Sequence, residues 1–168
     1  VKKTIYSYQQ DTILLSIITE SVSKDDDFIS TLKEAHHYHY DANGKLTALD
    51  VKIEGKPDVQ ILFAYDETGN IGIEKNSTTG FVYYYYYDDQ NRLTDVVHHS
   101  DVLEKLVLDH QFTYDDVGNI TRQITTERGR NSFIVWKYTY DGSLKTLDEL
   151  YTQEGIILGR IEYTYDRY

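Results

Sequence analysis

Phe112-Thr113-Tyr114-Asp115-Asp116-Val117-Gly118-Asn119-Ile120 is the stretch that decides the fold. Phe112 and Tyr114 stand two residues apart, which on an extended strand puts both rings on one face and Thr113 on the other. Asp115 can accept hydrogen bonds from turn N–H groups, and Gly118 tolerates a left-handed conformation three residues later. The combination predicts a three-residue hairpin loop, a type I turn closed by a glycine bulge. In that geometry Ile120, on the return strand, lies opposite Tyr114.

The same pattern recurs. An aromatic, one residue, then Tyr-Asp is found at Tyr38–Asp41, Phe63–Asp66, Tyr85–Asp88, Phe112–Asp115, Tyr138–Asp141 and Tyr163–Asp166. Successive motif tyrosines lie 25, 22, 27, 26 and 25 residues apart, a period that means one small unit stacked repeatedly. Three other copies keep the turn: Gly44, Gly69 or Asn91 takes the left-handed place, and Leu46, Ile71 or Leu93 follows. Tyr40–Leu46, Tyr65–Ile71 and Tyr87–Leu93 are therefore expected as cross-strand pairs. The fifth copy, Tyr140-Asp141-Gly142-Ser143-Leu144, is two residues shorter, which predicts a tighter Asp-Gly turn and leaves the register beyond it open. On the return strands, plain alternation would set Asp95 and Arg122 on the aromatic face, unless bulges re-aim them or the enclosed space is partly polar.

These units predict an all-β chain, an up-and-down antiparallel β-meander of about 12–13 strands, each ~8–10 residues long. An open amphipathic sheet would leave the tyrosines in water, so the meander is expected to curl into a soluble barrel or nearly closed roll. Closure would pair Tyr6-Ser7-Tyr8 with Ile161–Tyr165. If the sheet edges stay open, they are expected to pair between molecules and give an oligomer, with Lys2 and Lys3 as partial protection. Residues 1–168 read as a single domain, with degenerate repeats over 1–35 and the six Tyr-Asp units over 36–168. Asp25-Asp26-Asp27 is the most loop-like stretch, and Pro57 falls between two strands, where its missing N–H does no harm.

Seventeen tyrosines against five phenylalanines suit a face that is packed but partly wet. A formal charge of −11 argues against nucleic acid and anionic membrane surfaces as partners. No apolar run approaches the ~20 residues of a membrane helix, and no membrane span is expected. Zero cysteines excludes disulfides and thiolate metal sites. The sequence starts at Val1 and has no methionine, so a mature or trimmed product is expected. It would be periplasmic or at the cell surface, lipid-anchored through a removed N-terminal segment.

Candidate chemistry is sparse. His37 and His39 share a strand face in the His-x-His arrangement that metals use, with Asp50 as a third ligand from the return strand. His36 and His110 each precede a motif tyrosine by four residues, a slot filled elsewhere by Ile61, Tyr83, Trp136 and Ile161, and read as packing positions. Asp88-Asp89 and Asp115-Asp116 offer oxygens to calcium, but each turn has too few carboxylates for the six or more ligands it needs. Gly-x-Ser-x-Gly, His-Glu-x-x-His and the phosphate-binding glycine loop are absent. Neither an enzyme nor a cofactor is expected. Tyr83–Tyr87 with Trp136 and Tyr138 could stack on sugar rings if exposed. The off-face Tyr84 and Tyr86, with Tyr83 and Trp136, are thus the candidate binding residues, and a glycan or another envelope protein the candidate partner.

The string Tyr-Asp-x-x-Gly-Asn-Ile, at Tyr65–Ile71 and Tyr114–Ile120, resembles the YD repeat of Rhs-type proteins. It is similar also to small bacterial envelope proteins of unknown function built from such units and described as porin-like in fold. The resemblance covers residues 36–168. In long Rhs-type proteins the repeats form a spiral sheet around a toxin cargo, and 168 residues are far too few for such a shell. Choline-binding repeats differ: they carry Thr-Gly-Trp where this chain reads Leu93-Thr94-Asp95 and Ile120-Thr121-Arg122. The resemblance implies a non-catalytic bacterial envelope protein, a ligand-binding or scaffold module. Its alternatives are a carbohydrate-binding module using exposed tyrosines and an interaction segment of a larger Rhs-like assembly.

Overall fold

The computed structural model describes residues 2–9, 13–25, 28–127 and 132–166. They form thirteen strands: β1 (Lys2–Gln9), β2 (Ile13–Asp25), β3 (Phe28–Tyr40), β4 (Leu46–Ile53), β5 (Val59–Tyr65), β6 (Ile71–Asn76), β7 (Val82–Tyr87), β8 (Leu93–Ser100), β9 (Lys105–Tyr114), β10 (Ile120–Thr126), β11 (Phe133–Asp141), β12 (Leu144–Thr152) and β13 (Ile157–Glu162). The strand order is sequential, β1 through β13, and each described pairing is antiparallel. Among the described residues no helix is long and apolar enough to cross a membrane. Two compact units divide the chain, Val1–Val82 and Tyr83–Tyr168.

The expected turns form. Asp115 N–H donates to Asn119 O at 2.9 Å, and Gly118 N–H, at φ 93°, donates to Asp115 O at 3.1 Å. The Asp115 carboxylate accepts the N–H groups of Val117 and Asn119. Asp41, Asp66 and Asp88 repeat this arrangement, and Asn91 takes the left-handed place at φ 60°. All four predicted pairs are present: Tyr40↔Leu46, Tyr65↔Ile71, Tyr87↔Leu93 and Tyr114↔Ile120. In the fifth copy Asp141 pairs with Leu144 and Tyr140 with Lys145, five residues on instead of six. The loop is therefore one residue shorter, not two. Gly142, at φ 59°, takes the first of its two positions, which a type II′ turn gives to glycine.

Each of these pairs is followed by a bulge, and the bulge settles where the charged residues go. Thr94 is skipped and Asp95 then pairs with Tyr86; Thr121 is skipped and Arg122 pairs with Thr113. Both charges are thereby turned to the face opposite the motif tyrosines. The skipped threonines hold the irregularity with their hydroxyls. Thr47, Thr94, Thr121 and Thr146 donate to the carbonyls of His39, Tyr86, Thr113 and Thr139, at 3.1–3.2 Å. Near the N-terminus, Tyr8 pairs with Leu14 and the register shifts beside it, the pattern of a repeat without the Tyr-Asp pair. The turn between them, and Asp26 and Asp27 of the loop-like stretch, lie outside the described residues.

Barrel closure is corrected. β1 is bonded on one side, to β2, and β13 on one side, to β12, so Tyr6-Ser7-Tyr8 does not pair with Ile161–Tyr165 in the strand order. The expected single packed face is corrected too. Among the described residues Ala48, Val96, Ile124 and Val135 are the buried apolar ones, and no large side chain is fully enclosed. Pairing of Ala48 with His39 and of Ile124 with Gln111 and Val135 puts three of these on the face opposite the motif tyrosines. Four of the motif tyrosines lie along the sheet instead. Tyr40, Tyr65, Tyr114 and Tyr165 donate their hydroxyls to the carbonyls of Leu14, Leu46, Leu93 and Lys145, at 2.7–2.9 Å. Each acceptor is the residue paired with the tyrosine of an earlier repeat, just past the last bridge of the ladder. Lys45 Nζ and the Arg92 guanidinium cover the rings of Tyr65 and Tyr114, at 4.6 and 4.7 Å.

Candidate functional site

β7 carries five consecutive tyrosines, and strand alternation divides them. Tyr83, Tyr85 and Tyr87 share the motif face, opposite His98, Val96 and Leu93; Tyr84 and Tyr86 take the other, opposite Val97 and Asp95. Tyr86 is 47% exposed. Beside it Asp95 accepts a hydrogen bond from Gln111 Nε2 at 2.9 Å, giving an aromatic ring next to an amide–carboxylate pair. Tyr83 packs edge-on against His98, with centroids 6.4 Å apart. His98 Nδ1 lies 2.6 Å from the buried carboxylate of Asp109, a pairing the sequence reading missed. Its signal is a lone acid ending the apolar run Leu106-Val107-Leu108, where a bulge turns Asp109 inward.

Trp136 and Tyr138 share the motif face of β11 and stack with ring planes 2° apart at 6.2 Å. Tyr138 donates to Gln123 Oε1 at 3.1 Å. Burial raises its hydroxyl pKa above the ordinary value, with the negative charge of Asp148 adding to the effect. Opposite Tyr138, Asp148 is buried; its Oδ2 accepts from Tyr163 OH at 2.7 Å and from Lys145 Nζ at 3.3 Å. Lys145 also lies over the rings of Tyr138 and Tyr163, at 4.8 and 5.6 Å. The binding residues expected from the sequence are thus brought to two places. β7 and β11 are four strand spacings apart in the order, ~19 Å at about 4.8 Å each. Tyr83 and Trp136 share one face, while Tyr84 and Tyr86 share the opposite one.

His37, His39 and Asp50 come to one face: Asp50 stands opposite His37, and His39 Nε2 lies 2.8 Å from its Oδ2. Gln60 Nε2 donates to the other oxygen at 2.9 Å. The Gln60 bond first, and then His39, lower the Asp50 pKa below the ordinary carboxylate value. Among the described residues no group of three or more His, Asp or Glu side chains is arranged to hold a metal ion. His36 Nε2 lies 2.6 Å from Glu34 Oε1, a polar contact where packing was expected, and His110 stacks on Phe112 at 6.3 Å. The turn carboxylates offered to calcium bond to their own turns: Asp88 also receives Arg92 Nε at 2.7 Å, and Asp115 receives Asn119 Nδ2 at 2.9 Å. A shallow concavity of about 460 Å³ lies elsewhere, among Ile18, Lys33, Lys52, Ile53, Lys56 and Asp58, and includes none of the expected site residues.

No family model matches the chain, and no curated protein matches it either. Among solved structures it is distantly similar to the TcdB2–TccC3–Cdc42 structure, at 15% identity and a TM-score of 0.46, over 88% of this chain and 11% of that one. The TcdB2–TccC3–TEV structure gives 14% identity and a TM-score of 0.46, over 96% of this chain and 12% of that one. The Tc holotoxin pore of Photorhabdus luminescens gives 13% identity and a TM-score of 0.47, over 89% of this chain and 11% of that one. The chain thus spans about a ninth of the length of the solved chains it resembles.

Proposed function

We propose that this chain is a non-catalytic structural segment of a larger Rhs-like β assembly, joined to its neighbours through the edges of its sheet. The observation that carries the reading is the state of the terminal strands. Ile5, Tyr6 and Tyr8 of β1 are 47–54% exposed, and Ile157, Leu158 and Ile161 of β13 are 48–56% exposed. Stacked-repeat proteins keep such surfaces from water by stacking a further repeat on them or by polar capping repeats. Repeat-to-repeat bonding by tyrosine hydroxyls supports the same reading, because that bond can be continued by any further unit of the same kind. An envelope location, periplasmic or at the cell surface, belongs to the proposal. Cross-linking in the cells that make the protein tests it. The expected product is a species several times the mass of one chain; a single-chain product at every cross-linker dose would sink the reading.

The exposed Tyr86 beside Asp95 and Gln111 favours a second reading, a carbohydrate-binding module, since ring faces flanked by amide and carboxylate groups suit sugar hydroxyls. A glycan panel read by tyrosine fluorescence tests it. Saturable quenching that disappears in Tyr86→Ala would support this reading, and no response across the panel would remove it.

A further inference from the structure

β13 meets β12 through Glu162↔Leu147, Ile161↔Asp148, Arg160↔Glu149 and Gly159↔Leu150. Tyr163 N–H donates inward to Thr146 O at 3.0 Å. Backbone groups alternate sides along a strand, so Ile161 and Gly159 also bond inward, while Arg160 and Glu162 turn their N–H and C=O groups to the open edge. We propose that this edge pairs with β13 of a second copy of the chain, antiparallel, about a two-fold axis at Ile161. The proposal rests on the scaffold reading and names its partner.

Three features select that partner and that register. A two-fold pairing is self-complementary, so one strand must supply both halves of every contact. Centred on Ile161, it sets Arg160 opposite Glu162 of the partner subunit, twice, with both residues already presenting the backbone groups that such a hydrogen-bonded pair exchanges. Moving the centre by one residue, to Arg160 or Glu162, brings like charges face to face and mismatches the bonding pattern. At the centre, Ile161 meets its own symmetry mate at a non-hydrogen-bonded position, where side chains approach most closely. Gly159 has open space where a side chain would stand, so this register sets Tyr163 of the partner subunit opposite a position with no side chain to obstruct the approach. Arg160 and Glu162 bond each other at 2.7 Å within the chain, and both are more than half exposed.

Sedimentation over a concentration series should find a monomer–dimer equilibrium for the unaltered chain. Arg160→Glu and Glu162→Arg should each weaken association roughly tenfold or more, as reversed cross-strand charge pairs do. The double variant R160E/E162R should restore it, and mixing the two single variants should give a heterodimer. Far-UV circular dichroism checks that each variant stays folded. A cross-link provides a readout independent of charge. The chain has no cysteine, and Cα atoms at a non-hydrogen-bonded pair approach to ~4.5 Å, within disulfide range. Ile161→Cys should therefore oxidise to a dimer much faster than Val102→Cys, at a site 92% exposed. A dimer indifferent to the charge swaps, or equal rates for the two cysteines, overturns the proposal. If cells yield a large cross-linked species while the purified chain stays monomeric, the partner is a different protein: this inference falls and the scaffold reading stands. A single chain in both settings sinks both.

Discussion

At the residue scale, the second aromatic of each motif explains itself. The first position accepts phenylalanine, at Phe63 and Phe112, but the second is tyrosine in all six copies, and in four of them, Tyr40, Tyr65, Tyr114 and Tyr165, the hydroxyl has a specific task. A carbonyl just past the last bridge of a ladder has no strand partner, and the tyrosine supplies one. Tyr114→Phe removes the 2.7 Å bond to Leu93 O and nothing else; it should lower stability by about 0.5–1.5 kcal/mol in urea unfolding. Tyr114→Ala should cost more, about 2–4 kcal/mol, somewhat below a fully enclosed aromatic because the ring is half-buried. Alkaline titration gives a second check. Burial first, and the charge of Asp88 next, raise the Tyr114 hydroxyl above its ordinary value of 10.0. A raised folded pKa means that the folded state holds its proton longer. That contribution is complete below pH 10.0 and fades as pH rises through the folded value. Stability that stays flat from pH 9 to 12 in the wild type, or declines equally in Tyr114→Phe, would contradict this assignment.

At the element scale, the unit is a hairpin closed by its own aspartate. The N–H of Lys45 at Asp41, the Thr68 side chain at Asp66 and the N–H of Arg92 at Asp88 are the leading causes that hold these carboxyls below the ordinary 3.8. At Asp115 burial pulls upward, and the Asn119 bonds outweigh it. A depressed folded pKa contributes stability that is present above 3.8 and lost as pH falls through the folded values. The urea midpoint should therefore drop on going from pH 6 to pH 3. Asp66→Asn, which keeps a neutral acceptor in the turn, should show a shallower drop; an unchanged slope would remove Asp66 from the account. Gly118 tests the backbone alone, since a Cβ there meets no atom within 4 Å. Gly118→Ala should cost about 1–2 kcal/mol from the left-handed conformation itself, and Gly118→Asn less, as Asn91 already occupies the equivalent place.

At the scale of the whole molecule, the strand order is linear, so a strand removed from one edge should matter only to its neighbours. Deletion of residues 1–9 should raise amide exchange in β2 and, more weakly, in β3, the strands bonded next in the order. Protease sensitivity at Ile161–Tyr165 should not change. New cleavage there on deleting residues 1–9 would revive the closed barrel. Local cover fits this picture: Lys45 lies over the ring of Tyr65 and Arg92 over that of Tyr114, each from a neighbouring turn.

The sequence by itself determined what is local. Turn type, strand pairing and register at Tyr40, Tyr65, Tyr87 and Tyr114 follow from residues within six positions of each other, where Asp and Gly or Asn leave the backbone few choices. The threonines that lock four of the bulges, Thr47, Thr94, Thr121 and Thr146, stood in plain view but carried no signal alone, because their partner carbonyls lie across the hairpin. The fifth register stayed open for a related reason: one residue fewer in the loop changes which residues can face Tyr140. Whether the sheet closed was a tertiary matter. Amphipathic strands require their rings to be covered, but they do not say by what. At Tyr65 and Tyr114, hydroxyl bonds to the adjacent strand and cations over the ring faces provide that cover from within the sheet. The off-face placing of Tyr84 and Tyr86 was legible from strand alternation, whereas the separation of Tyr83 from Trp136 was set by the order of strands in the assembled sheet.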